Sequence, residues 1–251
     1  MSDDLAIELR DDHVAVVEFS RPPYNYFDTT LIRSLADAYT TLDEDPDCRA
    51  IVLCSTGKHF CAGADFAGPG IGDPRELYAE AARLFEVGTP TVATVHGAAI
   101  GGGLGLALSA DFRVATRETR FIANFARLGI HHGFGLTVTL PAVIGAQKSL
   151  DMLTTGRAVD GAEAETIGLC DRLTTASTLR DEAVALAAQL AANAPLAVRS
   201  IRATLRGDLA QKIRAATDHE AAQQAELMQS ADFAEGVRAV GERRAPKFTA
   251  S

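Results

Sequence analysis

A run of three glycines, Gly101 to Gly103, interrupts the apolar stretch TVHGAAIGGGLGLALSAD. The residues before the run favour a buried strand, and those after it favour a helix that ends near Asp111. Glycines at such a junction permit positive φ and allow a ligand to approach the main chain closely. The helix directs its free N–H groups towards that ligand. The stretch therefore predicts an oxyanion site, or, more simply, a tight turn that packs a helix on a strand.

A dinucleotide fingerprint is the main rival interpretation of the glycine run. It needs glycine at its first, third and sixth positions, and Gly101 and Gly103 satisfy the first two. Leu106 stands at the sixth position, and no early strand–helix–strand unit leads into the run. The pattern therefore argues against a dinucleotide, and we expect no cofactor.

Hydrophobic patterns elsewhere predict an α/β protein. Strands are expected over 13–20, 48–55 and 89–97 and as two short segments within 112–124, with helices over 28–45, 74–88 and 139–156 and a glycine-rich loop over 56–74. From Leu179 onwards, Ala, Glu, Gln, Arg and Leu dominate. That part predicts three helices, separated near Asn193 and near either Gly207 or Ser230. We expect an α/β core over 1–190 and a helical segment over 191–251.

Charge and cysteine usage exclude several classes of function. The formal net charge of -9 argues against binding to nucleic acid or to an anionic membrane. No apolar run reaches the ~18 residues of a membrane span, and the acidic N-terminus does not resemble a secretory signal. The four cysteines form no CxxC pair and have no neighbouring histidine cluster. We therefore expect reduced thiols, a cytoplasmic protein and no metal site.

A second glycine-rich loop, GKHFCAGADF over 57–66, follows the preceding buried strand. Together with the glycine run, this loop resembles the crotonase superfamily, which comprises enoyl-CoA hydratases, isomerases and their relatives. The segments RPPYNYFD, TTGRAVDGAEAETIGLCDRL and SADFAEGVRAVGERRAPKF are similar to further family segments, in the family's order. The resemblance covers nearly the whole chain. It implies a crotonase-like fold of repeated β-β-α units with a C-terminal α-helical segment.

The resemblance also implies an acyl-CoA thioester as substrate or ligand. In this family two backbone amides hold the thioester oxygen and stabilise the enolate of the transition state. Such preorganised donors are often the largest catalytic contribution. Motif matching assigns the two amides to Ala64, in AGAD, and to Gly102, in the middle of the glycine run.

The same matching assigns the CoA moiety to five residues. Tyr26 and Ala62 would meet the nucleotide through backbone groups. Arg243 falls at a basic residue that meets the CoA phosphates, and Phe248 at an aromatic that packs beside the nucleotide or a neighbouring subunit. Lys58 would add positive charge. For the basic residues, a solvated surface charge is the competing interpretation.

The two glutamates that hydratases of the family use are absent from the matching positions. Gly105 and Phe125 stand there, and neither side chain can transfer a proton. Water addition by two carboxylates is therefore unsupported. We expect Gly105 to enlarge the pocket and Phe125 to make it more apolar. The aspartate nucleophile of the family's aryl-CoA dehalogenases would fall at Gly133, so that chemistry is also unsupported.

Two histidines are the remaining candidates for proton transfer. His132 replaces the proline that is usual at its position, whereas a histidine at the position of His131 is common in the family and favours a structural role. A neutral imidazole can take or give a proton near pH 7. On an extended chain, adjacent side chains point in opposite directions, so the pair is not expected to share a metal.

Three functions remain open. The first is an enzyme acting on acyl-CoA through an enolate, as a hydratase or isomerase, with His132 or water moving protons. The second is a binding protein that keeps the two amides and lacks the acids. Hydrolysis of β-dicarbonyl compounds is a third outcome. The resemblance further implies a homotrimer or a dimer of trimers.

Overall fold

The computed structural model describes residues 4–66, 68 and 72–251. The strands are β1 Leu5–Leu9, β2 Val14–Phe19, β3 Ala50–Ser55, β4 Thr91–Val95, β5 Ala98–Ile100, β6 Phe112–Thr116, β7 Arg120–Ile122, β8 Ala158–Asp160 and β9 Arg172–Thr174. The helices are α1 Thr29–Glu44, α2 Pro74–Arg83, α3 Gly102–Ser109, α4 Phe125–Leu128, α5 Leu136–Ile144, α6 Ala146–Thr155, α7 Gly161–Ile167, α8 Leu179–Ala191, α9 Pro195–Arg206, α10 Leu209–Leu227 and α11 Ala231–Gly241.

The strands form two sheets. The larger has the order β1-β2-β3-β4-β6-β9 and is parallel except for the antiparallel pair at β1. The smaller has the order β5-β7-β8. The segments β4-β5-α3 and β6-β7-α4 each send one strand to each sheet before entering a helix. This arrangement confirms the α/β fold of β-β-α units expected from the sequence.

The central strands of the larger sheet are buried on both faces because their residues alternate between two cores. In β3, Ile51 and Leu53 face the main core, whereas Val52 faces a second core covered by α8. Helix α8 contributes Leu179 and Leu186 to that second core. Burying each such side chain stabilises the fold by about 1.5–3 kcal/mol. The strand expected over 48–55 is therefore present and is covered on both faces.

Several predicted boundaries were wrong. The helix expected over 139–156 is broken at Gly145, where φ is 80°. The C-terminal part contains four helices rather than three, because breaks occur near Gly207 and also near Ser230. Strand β1 was missed, since it is a short edge strand in an acidic segment. Part of the loop expected over 56–74 lies outside the described residues.

The C-terminal helices have different surroundings. Helix α10 packs against α2, and α11 packs against α4. Helix α9 has no buried residue. Within the described ranges, no single helix is long and apolar enough to cross a membrane, although α8 and α9 pass that test as a pair bent by 103°. The division between core and helical segment at residue 190 stays a prediction.

Candidate active site

A small apolar pocket lies where the glycine run meets the loop that follows β3, and its cavity volume is about 40 Å³. Its walls come from six places along the chain. The lining residues are Phe27, Ala62, Gly63, Ala64, Phe66, Leu77, Tyr78, Ile100, Gly101, Gly102, Asn124, Phe125, Leu128 and Gln224. Ala64 and Gly102, which motif matching selected, are both among them.

Hydrogen bonds between backbone groups fix the two loops against each other. Ile100 N–H donates to the carbonyl of Cys61 at 3.0 Å, and Cys61 N–H donates to the carbonyl of Ala98 at 3.2 Å. A methyl group built on Gly63 would lie 3.8 Å from the nitrogen of Gly102. The amides of Ala64 and Gly102 donate to no acceptor within the described residues. The structure therefore places in one pocket lining two residues whose N–H groups have no acceptor in the described part of the chain.

The glycine run is required by both conformation and space. Gly101 adopts φ 56°, a left-handed conformation that favours glycine. A methyl group on Gly103 would lie 2.2 Å from the carbonyl oxygen of Cys61. Gly102 is the first residue of α3, so its N–H has no partner within the helix. The glycine run therefore has two effects: it allows the two loops to approach closely, and it starts α3 so that the N–H of Gly102 has no partner within the helix.

Phe125 and Gly105 behave differently from each other. Phe125 lines the pocket and makes it apolar, as expected. Gly105 is buried and is not a lining residue, so the expectation that it enlarges the pocket was wrong. A methyl group on Gly105 would lie 2.5 Å from Cβ of Phe134. The volume left by the small residue is filled by that phenylalanine.

Glu220 holds the segment that carries Phe134. Its buried carboxylate accepts hydrogen bonds from Gly135 N–H at 2.8 Å, from Thr137 N–H at 3.0 Å and from the Thr137 hydroxyl at 2.6 Å. Burial raises the pKa of Glu220, and these hydrogen bonds partly counteract the increase. The carboxylate therefore caps the start of α5 from a distant helix, α10.

His132 is hydrogen-bonded to the Thr137 hydroxyl, which also binds Glu220. Its Nε2 lies 2.8 Å from the Thr137 hydroxyl oxygen, and this hydroxyl already donates its proton to Glu220. Nε2 must consequently be the protonated nitrogen, which leaves Nδ1 as an acceptor. Burial lowers the pKa of His132 to about 4, with smaller contributions from His131 and His219. The imidazole is neutral at pH 7.

The two adjacent imidazoles stack instead of pointing in opposite directions. Their centroids are 4.1 Å apart, because His131 folds back and its Nδ1 donates to the carbonyl of His132 at 2.7 Å. The described residues contain no group of three or more potential metal ligands. Neither histidine lines the pocket, and the ring of His132 lies edge-on to Phe125 with centroids 6.4 Å apart.

Comparison with known proteins identifies the family. The family model described as enoyl-CoA hydratase/isomerase matches residues 10–251. The chain belongs to the enoyl-CoA hydratase/isomerase family. It is 35% identical over 251 residues to the probable enoyl-CoA hydratase EchA14 of Mycobacterium tuberculosis, covering 93% of this chain and 96% of the relative. It is 33% identical over 255 residues to a putative enoyl-CoA hydratase of Thermus thermophilus, covering 96% and 100%.

Solved structures of the family support the same assignment. An enoyl-CoA hydratase/isomerase from Pseudoalteromonas atlantica superposes with a TM-score of 0.89 at 30% identity, over 98% of this chain and 100% of that one. An enoyl-CoA hydratase from Mycobacterium avium subsp. paratuberculosis superposes with a TM-score of 0.88 at 26% identity, over 99% and 100%. The crotonase-like fold expected from the sequence is thereby confirmed.

The residues that family matching assigns to CoA lie in two regions. Ala62 lines the pocket and its N–H donates to the carbonyl of Tyr24, while the half-buried Tyr26 precedes the lining residue Phe27. Burial is the main cause of the raised pKa of Tyr26. Lys58 is exposed on the loop after β3. The nucleotide contacts of this first region stay predictions.

The second region is the end of the chain. Arg243 and Phe248 follow α11, are exposed and are not lining residues of the pocket. Helix α11 reaches the loop after β3 through Phe233, whose ring meets Phe66 edge-on with centroids 5.4 Å apart. Contact of Arg243 with CoA phosphates also stays a prediction.

Sequence reasoning missed two buried polar residues in the pocket. Tyr78, on α2, donates its hydroxyl proton to Oε1 of Gln224, on α10, at 2.8 Å. Gln224 in turn donates from Nε2 to the carbonyl of His131 at 2.8 Å. The two are separated by 146 residues, and neither lies in a recognisable motif. Only the packing of α2 against α10 reveals the pair.

Proposed function

We propose that this protein binds acyl-CoA thioesters in this pocket and polarises the thioester carbonyl between the amides of Ala64 and Gly102. One observation carries the proposal: these amides belong to separate loops, line one apolar pocket and have no acceptor within the described residues. The enoyl-CoA hydratase names of the relatives support a CoA thioester as the class of ligand.

Polarisation by two amides supports enolate chemistry. When a base removes a proton from Cα of the acyl group, negative charge moves onto the thioester oxygen. An N–H group already directed at that oxygen stabilises the charge without reorganisation, and one such donor contributes about 3 kcal/mol in well-studied enzymes. The proposed role of Ala64 and Gly102 is therefore to stabilise an enolate.

The mode of proton transfer is restricted by the lining of the pocket. None of the described lining residues is an aspartate, glutamate, histidine, lysine or arginine. Water addition by two carboxylates therefore gains no support from this pocket. His132 is the remaining proton acceptor suggested by the sequence, and Phe125 lies against its ring. The same lining favours a second candidate function, an acyl-CoA carrier without catalysis.

A CoA derivative that lacks the thioester carbonyl tests the proposed function. Calorimetry should show that butyryl-CoA binds at least ~10-fold more tightly than S-butyl-CoA, which has CH₂ in place of the carbonyl. Two hydrogen bonds of about 1 kcal/mol each account for a difference of this size. Free CoA serves as the control for contacts to the nucleotide. Equal affinities for the two ligands, or no affinity for either, would contradict the proposal.

Exchange of the Cα protons distinguishes an enzyme from a carrier. In D₂O an enolate-forming enzyme incorporates deuterium at Cα of butyryl-CoA, whereas a carrier binds the thioester without exchange. Crotonyl-CoA turnover in the same preparation then tests hydratase activity.

We also propose that the protein forms a homotrimer or a dimer of trimers. The exposed apolar side chains of α9, Leu196, Ile201 and Leu205, support self-association. The number of subunits follows from the family resemblance alone.

A further inference from the structure

The proposed acyl pocket contains hydrogen-bonding side chains but no charged ones. Asn124, Tyr78 and Gln224 are its polar side chains among the described lining residues, and the other side chains are apolar. Polar groups in a small apolar cavity are costly unless they find partners. A pocket for a plain hydrocarbon chain would not need them.

Asn124 is partly buried, and its side chain makes no hydrogen bond within the described residues. It is the N-cap residue of α4, yet its side chain makes no capping hydrogen bond. An asparagine cap usually stabilises a helix by about 1 kcal/mol. Here Oδ1 instead lies 3.2 Å from the position of a methyl group on Gly101, the residue before the proposed oxyanion donor Gly102. The amide is thus available close to the thioester site.

Tyr78 and Gln224 add further hydrogen-bonding capacity. Gln224 is 2% exposed and Tyr78 is 5% exposed. After their mutual hydrogen bond and the bond to His131, one Nε2 hydrogen of Gln224 and the lone pairs of the Tyr78 oxygen stay unused. These groups are neutral, and the pKa of Tyr78 is raised by burial.

We infer that Asn124 is a specificity-determining residue, which hydrogen-bonds an uncharged oxygen substituent, a hydroxyl or a carbonyl, on a short acyl group. The inference rests on the proposed function. An amide offers both a donor and an acceptor, so it can pair with either substituent. A carboxylate on the acyl chain would lose its hydration without meeting a cation, and binding would weaken.

Three thioesters with four-carbon acyl groups test the inference by calorimetry. The wild-type protein should bind 3-hydroxybutyryl-CoA ~10-fold more tightly than butyryl-CoA, because a hydrogen bond to the partly buried Asn124 is gained. Succinyl-CoA, which carries a carboxylate, should bind at least ~10-fold more weakly than butyryl-CoA.

Variants of Asn124 assign the preference to this side chain. In Asn124→Leu, which has the same number and branching of side-chain heavy atoms, the hydroxyl preference should disappear. In Asn124→Asp the substrate hydroxyl can donate to the carboxylate, so the preference should persist while succinyl-CoA is rejected more strongly. Asn193→Leu, at an exposed asparagine between α8 and α9, is the matched control and should keep all three affinities.

The outcomes separate this inference from the proposed function. Binding of butyryl-CoA without a hydroxyl preference, or a preference that survives in Asn124→Leu, overturns the role of Asn124 only. Failure of the wild-type protein to bind any of the three thioesters overturns the proposed function itself. If thermal unfolding shows that Asn124→Leu is not folded, the wild-type affinities and those of Asn124→Asp decide.

Discussion

Phe134 shapes the site although it does not line the pocket. Its φ of 63° is unusual for a bulky residue. The ring nevertheless packs beside Gly102 and Gly105, at positions where any larger residue would collide with it or with Phe27. Because Glu220 accepts from the next N–H in the chain, the strained conformation is held by a buried carboxylate. Phe134 therefore links Gly105, which stands at one of the family's two glutamate positions, to Glu220 on α10.

The pKa of His132 predicts a pH-dependent stability. An exposed imidazole in the unfolded chain has a pKa of about 6.5, and the folded value is about 4. Between these values the unfolded chain binds the proton more readily, so the free energy of unfolding falls as the pH drops from 6.5 to 4. The loss amounts to about 3 kcal/mol for a shift of this size. It can be measured by urea unfolding across this pH range.

A variant isolates this contribution from neighbouring groups that titrate. His132→Gln keeps an N–H donor for Thr137 but does not titrate, so its stability should depend less on pH by about the same amount. His131 and Glu220 lie beside His132, His219 lies beside His131, and all three are present in both proteins. Glu220, whose pKa is raised, contributes with the opposite sign, because its stabilisation is lost as the pH rises through the folded value. Parallel pH profiles would refute the assignment.

At the scale of elements, the packing of α3 against the 131–137 segment decides how much space the site has. Helix α3 begins within the glycine run and is apolar as far as its last residue, Ser109. Its small residues allow Cys61, Phe27 and Phe134 to approach the helix backbone. Helix α3 therefore supplies an N–H without an acceptor among the described residues at its first turn, and small residues that allow close packing beyond it.

Gly105→Ala tests this packing. The added methyl group would lie 2.5 Å from Cβ of Phe134, so either Phe134 or α3 must shift to accommodate it. We expect a loss of about 1–3 kcal/mol in the free energy of unfolding, measured in urea. Gly241→Ala is the control, since a methyl group at the end of α11 meets nothing within 4 Å. Equal stability of Gly105→Ala and the wild-type protein would contradict this expectation, because it would show that the Phe134 side chain can move aside at little cost in free energy.

At the scale of the whole molecule, α9 is turned with its charged face inwards. Arg202 and Arg206 bind the carboxylate of Asp111 at 2.8 and 3.0 Å, and Arg199 binds Asp43 at 3.0 Å. Asp111 also accepts from Thr91 N–H at 2.8 Å, which ties the helix to the sheet. These ion pairs leave Leu196 and Leu205 82% exposed.

Substitution of an exposed leucine on the outward, apolar face of α9 tests self-association. Leu205→Glu places a charge on the apolar face of α9, so the oligomer proposed above should dissociate towards monomers in sedimentation velocity experiments. Leu9→Glu, at an exposed leucine of the edge strand β1, is the control and should keep the wild-type sedimentation coefficient. A monomeric wild-type protein, or an oligomer that survives Leu205→Glu, would contradict the role given to this face.

The sequence by itself determined the features that depend on neighbouring residues. Periodicity located the central strands, and matching of the glycine run and its partner loop to family motifs selected Ala64 and Gly102, both of which line the pocket. It also showed that Gly105 and Phe125 cannot transfer protons. The helix break at Gly145 and the presence of breaks at both Gly207 and Ser230 were not predicted, because local propensity is weak compared with tertiary packing.

Only the tertiary structure decided what fills and surrounds the pocket. The ring of Phe134 occupies the space beside Gly105, and Tyr78 meets Gln224 from helices far apart in the chain. The rings of His131 and His132 stack, so the alternation of side chains expected on an extended chain does not hold at this pair. Such contacts arise from close packing between distant segments, whose geometry is set by the whole core and not by any local pattern.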